Sequence, residues 1–308
     1  MSPVNQAPKN LESITAIIEK VRRGTLGADE IIDATRSLIA KCDGDIKAWK
    51  ALDWDQVEEQ YQELMSRPNW QILPLAAVPI AVKDVYNTAN FVTTYGSVIY
   101  QHHRPDSDAK LVGILRSLGA IVIGKTVTTE FAYWQAGPTV NPYDHGRTPG
   151  GSSSGSAAAV ATGMVPFALG SQTAASTIRP ASYCGIIGFK PSLGLLPVDG
   201  VKNLSPSLDT VGLFTRTIDD LIVVMNALLA GTGTKQPSFK SKIKLLPELV
   251  LSTITGSWEP QVADACMAAV AECHSLANAN GCKSGEVIEF VDFDKLTSDQ
   301  IFLMAAEA

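Results

Sequence analysis

The chain has 308 residues, 45% of them hydrophobic and 18% charged, with 25 Lys and Arg against 31 Asp and Glu for a net charge of −6. That composition is globular and long enough to bury a sizeable core, and its acidic balance excludes an electrostatic nucleic-acid footprint. Five scattered cysteines (Cys42, Cys184, Cys266, Cys273, Cys282) without CxxC spacing argue against a disulfide framework or zinc site and fit a reducing, cytoplasmic setting. The first ten residues lack an apolar signal core, and no run approaches the roughly 18 apolar residues of a membrane helix.

The predicted elements begin with helices. Ile14, Ile17, Ile18 and Val21 recur at helical spacing before Gly24, and Ile31, Ala34, Leu38 and Ile39 mark a second amphipathic helix. A third runs from Trp54 to Met65, so residues 1–70 read as a helical lead-in and 71–308 as the main body. Val78–Val82 is a short buried strand ending at Lys83. Asp106–Ser117 follows as a helix, Ala120–Ile123 as a strand, Ser156–Thr162 as a helix and Val165–Leu169 as a strand. Thr217–Ala230 is a helix with a capping signal at Thr217. A helix over Pro260–Ala277 and a strand over Val287–Phe290 come next. Thr297–Ala308 starts a helix in which the chain stops, so the C-terminus reads as cut. The hinge is placed between Gly231 and Ser241. Alternating helices and short apolar strands imply an α/β fold with a mixed, mostly parallel central sheet covered by helices on both faces.

The chemistry-bearing residues do not form a histidine machine. The four histidines (His102, His103, His145, His274) lie outside any hydrolase motif, and no G-x-S-x-G elbow is present. His102 and His103 read as surface loop residues, and Cys184 as a packed small residue. A lysine can serve as base when desolvation lowers its pKa, and Lys83 at the end of an apolar strand suits that role. Pro149–Ala161 carries a serine-glycine turn before an alanine-rich helix, and Gln172-Thr173-Ala174-Ala175-Ser176-Thr177-Ile178-Arg179-Pro180 follows an apolar run.

Together with Pro79–Asp84 these segments resemble the motifs of the amidase signature family, and Ser152 and Ser176 stand 24 positions apart as in that pattern. Flanking similarity includes Gly124-Lys125-Thr126, Asn141-Pro142, Gly188-Phe189-Lys190-Pro191 and Leu208–Gly212, and it is clear over residues 74–230. The resemblance implies Ser176 as nucleophile, Ser152 as proton relay after a cis Gly151–Ser152 bond, and neutral Lys83 as base. It implies an oxyanion hole from the N–H groups of Thr173, Ala174, Ala175 and Ser176. Tyr133 and Ser153 are candidate substrate-binding residues, although Tyr133 and its neighbour Trp134 suit aromatic core packing equally.

The expected activity is hydrolysis of a small linear carboxamide through an acyl-enzyme. Neither cofactor, metal, nucleic acid nor membrane is expected to take part, and a homodimer is among the assemblies allowed. The alternatives are an inactive amidase-like protein and, ranked lower, the amidase subunit of a tRNA-dependent amidotransferase. Three residues depart from the family pattern: Gln172 where Asp is frequent, mildly Arg179, one place later than in the commonest version, and Ala175 where Gly precedes the nucleophile. Were that position to need φ > 0, Ala would cost about 1 kcal/mol and tilt the donors.

Overall fold

A computed structural model describes residues 12–233, which fall within one compact unit, Met1–Gln236. The helix over 260–277, the strand over 287–290, the terminal helix and most of the expected hinge lie outside the described residues.

The chain opens with helices α1 (Ile14–Arg22) and α2 (Ala28–Ile46). In α1 the predicted stripe Ile14, Ile17, Ile18 and Val21 is buried, and Ser13 caps the first turn by accepting from the Ala16 N–H. Strand β1 (Trp49–Leu52) follows, then α3 (Trp54–Ser66) with Asp53 as its cap. β1 corrects the wholly helical reading of this region. Four residues are too few to show a periodicity, and pairing with a distant strand decides their state.

The remaining elements are β2 (Pro79–Lys83), α4 (Lys110–Ser117), β3 (Ile121–Thr126), α5 (Ser154–Ala161) and β4 (Phe167–Gln172). They are followed by α6 (Ile178–Tyr183), β5 (Ile187–Phe189), β6 (Thr210–Thr215) and α7 (Ile218–Gly231). Helix α4 starts later than Asp106 because Asp108 is used elsewhere, accepting from the Ala89 N–H at 2.7 Å. Helix α7 starts as expected, with the Thr217 hydroxyl accepting from the Asp220 N–H at 3.1 Å. No helix of the described residues is long and apolar enough to cross a membrane.

The six described strands form one mixed sheet in the order β1-β3-β2-β4-β6-β5. Parallel pairing is confined to its centre, where β2 lies between β3 and β4. The pairs β1–β3, β4–β6 and β5–β6 are antiparallel, so the sheet is less parallel than expected. Every residue of β2, β3 and β6 is buried, which requires cover on both faces.

Two consequences of this topology position the site. Because β2 and β4 run parallel with Val82 opposite Leu169, their carboxyl ends meet at one edge, where open α/β sheets place ligands. Lys83 and the loop after Gln172 are therefore neighbours. Helix α5, buried over Ser154–Val160, then brings the serine-glycine turn against that edge. A Cβ on Gly155 would lie 2.2 Å from the Ala48 carbonyl oxygen and 2.4 Å from the Val127 nitrogen. Only glycine allows that approach.

Gly155→Ala should therefore destabilise the protein by about 1–3 kcal/mol through overpacking, despite the roughly 1 kcal/mol that alanine gains over glycine in a helix. Urea unfolding of the variant should show a lowered midpoint, and an unchanged or raised midpoint would contradict this packing.

Candidate active site

Lys83 closes β2 with its side chain fully buried. Its ammonium nitrogen Nζ lies 2.7 Å from Ser152 Oγ and 2.9 Å from Ser171 Oγ. Both partners are neutral hydroxyls. Burial pulls the Lys83 pKa down to about 7, opposed in part by the negative charge of Asp209. An amine held there carries a proton part of the time and is free to accept one at neutral pH. This is the property expected of a lysine base.

Ser152 follows a cis Gly151–Ser152 peptide. It is 2% exposed, and its carbonyl accepts the Thr129 N–H at 3.2 Å. Ser153, a candidate for substrate contact, is instead turned into the interior. Its hydroxyl donates to the Ser171 carbonyl at 3.2 Å and lies 3.3 Å from the Ser171 N–H. It therefore ties the serine turn to β4, directly beneath the hydroxyl that touches Lys83.

Ser176 is half-buried in the loop between β4 and α6. Its carbonyl accepts the Ser153 N–H at 3.4 Å, so the two serine segments meet through backbone. Among the described residues no hydrogen bond joins the Ser152 and Ser176 hydroxyls. Such contacts commonly tighten only once substrate is bound.

Ahead of Ser176, the N–H groups of Thr173, Ala174, Ala175 and Ser176 find no acceptor among the described residues. Successive free N–H groups of this kind form a concavity suited to an anion. Gln172 sets the far end of the loop, since its Oε1 accepts both the Thr177 N–H at 2.9 Å and the Ile178 N–H at 3.1 Å. Gln172 thus holds the start of α6, a task that needs an acceptor and no charge. Ala175 does not stand at positive φ. The anticipated cost of an alanine there is therefore absent, because the backbone in front of Ser176 never enters the left-handed region.

Tyr133 is 63% exposed and packs edge-on against Trp134, with ring centroids 5.7 Å apart. Both rings stand at the surface, which removes the core-packing alternative. Of the histidines, His102 and His145 are exposed, and His103 bonds the Tyr95 hydroxyl at 3.2 Å. Burial pushes the Cys184 thiol up to about 12, so it is an inert packing residue.

Two participants escaped the sequence reading. Ser171 sits on β4 one residue before the strand ends, and only the β2–β4 register shows that it reaches Lys83. Asp209 lies in a segment noted only for its resemblance, yet its carboxylate accepts the Thr173 hydroxyl at 2.5 Å.

A family model described as Amidase matches residues 30–297. The A subunit of the glutamyl-tRNA(Gln) amidotransferase of Lacticaseibacillus paracasei is 38% identical over 245 residues, covering 75% of this chain and 50% of that protein. The native peptide amidase of Stenotrophomonas maltophilia superposes with a TM-score of 0.66 at 32% identity, over 75% of this chain and 51% of the other. A structure described as a vestigial protein complex that reveals the origins of an s-triazine catabolic enzyme gives 0.67 at 34% identity, over 70% and 50% of the two chains. The chain spans about half the length of the curated relatives it matches.

The buried lysine has a thermodynamic signature independent of any reaction. Below pH 7 it is protonated in both folded and unfolded chains, and folding carries the full desolvation cost. Between about 7 and its ordinary value of 10.5 only the unfolded chain holds the proton, so stability rises with pH. Relative to wild type, Lys83→Met should be most stabilising at low pH, with the advantage shrinking by up to about 1.4 kcal/mol per pH unit across that window. Unfolding free energies at several pH values check this. A pH-independent difference would mean that Lys83 keeps an ordinary pKa.

Proposed function

Because this chain belongs to the amidase signature family, we propose that it hydrolyses a small linear carboxamide, with Ser176 as nucleophile, Ser152 as relay and Lys83 as base. The observation that carries this reading is the fully buried Lys83 amine, 2.7 Å from Ser152 Oγ, where burial draws its pKa down to about 7. In the first half-reaction Ser176 Oγ attacks the carbonyl carbon. Its proton passes to Ser152 Oγ, whose own proton passes to neutral Lys83. The carbonyl oxygen becomes an oxyanion directed at the N–H groups of Thr173–Ser176. Collapse of the tetrahedral intermediate breaks the C–N bond, and the departing amine takes the proton back through Ser152. Water then attacks the acyl-enzyme by the same route in reverse, releasing the carboxylate.

The donors matter most energetically, since losing one of them typically costs about 10²–10³ in rate. The exposed pair Tyr133–Trp134 is assigned to the substrate, where an aromatic face favours an apolar group next to the amide. Ser153 is assigned to support of the serine turn. The free thiols of Cys42 and Cys184 favour a cytoplasmic setting.

The curated relatives favour a second reading, in which the chain is the amidase portion of a tRNA-dependent amidotransferase. Such a role requires a partner protein and charged tRNA, and ammonia would be delivered to an acceptor. The Gln172–Ser176 segment lacks the Asp and paired Gly associated with that role, so hydrolysis of free amides is the preferred reading. An inactive relative is the third outcome.

A panel of simple aliphatic and aromatic amides, assayed for ammonia release by the isolated protein, separates the three. Ser176→Ala should abolish release and fluorophosphonate labelling while leaving the fold intact. Ser152→Ala and Lys83→Ala should each lower turnover by several orders of magnitude. Near wild-type rates in Lys83→Ala would remove lysine as the base. Activity that requires an added partner and tRNA would establish the second reading, and absent labelling of Ser176 the third.

A second expectation concerns pH. If neutral Lys83 is the base, kcat/KM should rise through about pH 7 and level off in the alkaline range. A profile whose acidic limb disappears on replacing any of the four histidines, His102, His103, His145 or His274 (the last outside the described residues), would contradict this assignment.

A further inference from the structure

One carboxylate holds together segments that the proposed chemistry uses separately. Asp209 precedes β6 and is 7% exposed. Its Oδ1 accepts the Thr173 hydroxyl at 2.5 Å, while Oδ2 accepts the N–H groups of Leu204 at 2.7 Å and Ser205 at 2.9 Å. These are short bonds to an ionised acceptor, the stronger class of hydrogen bond. Thr173 is the first of the four residues whose N–H groups find no acceptor among the described residues, so Asp209 anchors one end of that loop. Gln172 fixes its other end through Thr177 and Ile178.

Asp209 also acts on the base. It is the charge that opposes the loss of the Lys83 proton. The other groups facing Lys83 are neutral or already matched. Ser152 and Ser171 touch its nitrogen as hydroxyls. On the neighbouring elements, Tyr86 donates to the Gly170 carbonyl at 2.6 Å, and Lys125 pairs with Asp84 at 3.3 Å.

We propose that Asp209 is a positioning residue that holds the N–H donor loop in place through the Thr173 hydroxyl and couples that loop electrostatically to Lys83. This rests on the reading of Ser176 as nucleophile and Lys83 as base. Asp209 touches no reacting atom. Its two oxygens and its charge have separable effects, and substitutions can isolate them. Asp209→Asn keeps the shape and removes the charge. Thr173→Val removes the hydroxyl and keeps the charge, and Thr173→Ser restores the hydroxyl.

The test measures the rate of Ser176 phosphonylation by a fluorophosphonate against pH in wild type and the three variants. Amide hydrogen exchange is measured over 172–178 and 203–210 in the same proteins. Asp209→Asn should lower the plateau rate at least about tenfold, short of the 10²–10³ for complete loss of a donor. It should also move the acidic limb to lower pH, because the charge that retains the Lys83 proton is gone. Thr173→Val should lower the plateau with the limb in place, and Thr173→Ser should recover the plateau. Exchange should accelerate at Leu204 and Ser205 in Asp209→Asn. A wild-type plateau and limb in Asp209→Asn would overturn the inference.

Should Asp209→Asn fail to fold, the Thr173 pair decides: a wild-type plateau in Thr173→Val overturns the anchoring role. Should wild-type Ser176 not react at all, the proposed function falls. The exchange arm then still decides the positioning role, which unchanged protection in Asp209→Asn would overturn.

Discussion

An ammonium group taken wholly out of water, with two hydroxyls as its hydrogen-bond partners among the described residues, is the constraint on which the rest of this structure depends. No carboxylate of those residues lies within ion-pair distance of Lys83, and desolvation dominates its protonation. The neighbouring features make that burial tolerable and useful. The parallel register of β2 and β4 supplies Ser171, and the close approach of α5 delivers Ser152. The interior hydroxyl of Ser153 locks these two suppliers to each other.

A second buried lysine shows how much depends on the partner. Lys125 lies on β3 opposite Val82, one register position from Lys83, and is equally excluded from solvent. It donates to the Tyr86 carbonyl at 2.6 Å and the Thr93 hydroxyl at 2.8 Å, and it pairs with Asp84 at 3.3 Å. Asp84 in turn accepts from the Thr94 N–H and hydroxyl. Lys125 therefore reads as a fastener for the loop after β2, since removing one member of such a buried pair strands the other charge. Burial lowers both lysines, Lys83 to about 7 and Lys125 to about 8, and what separates their surroundings is the carboxylate at ion-pair distance from Lys125.

The motif residues were legible in the chain, because Lys83, Ser152 and Ser176 sit in short segments of distinctive composition. Helices α1, α3 and α7 were legible for a different reason: their apolar stripes and caps are local signals. Strands β1, β5 and β6 were not. β1 and β5 are too short to show alternation, and β6 carries Gly212, where a Cβ would fall 2.0 Å from the Thr177 hydroxyl oxygen. Ser171 and Asp209 were invisible as site residues because their roles arise from strand register and from a contact across 36 positions. The concern over Ala175 came from a family pattern, and the backbone answers it by keeping that residue out of the left-handed region. The exposed Tyr133 could not be told from a core aromatic, since composition does not report which way a ring faces.

The most direct measurement is the protonation of Lys83 itself, followed by NMR titration of the folded protein with 15N-labelled lysine and assigned with the Lys83→Met variant. A lysine resonance titrating near pH 7 and missing from the variant is the predicted result, distinct from that of Lys125, which burial lowers to about 8 and which the variant retains. A Lys83 resonance that remains protonated to about pH 10, as an ordinary solvated lysine does, would contradict the reading of this residue as a base poised for neutral pH.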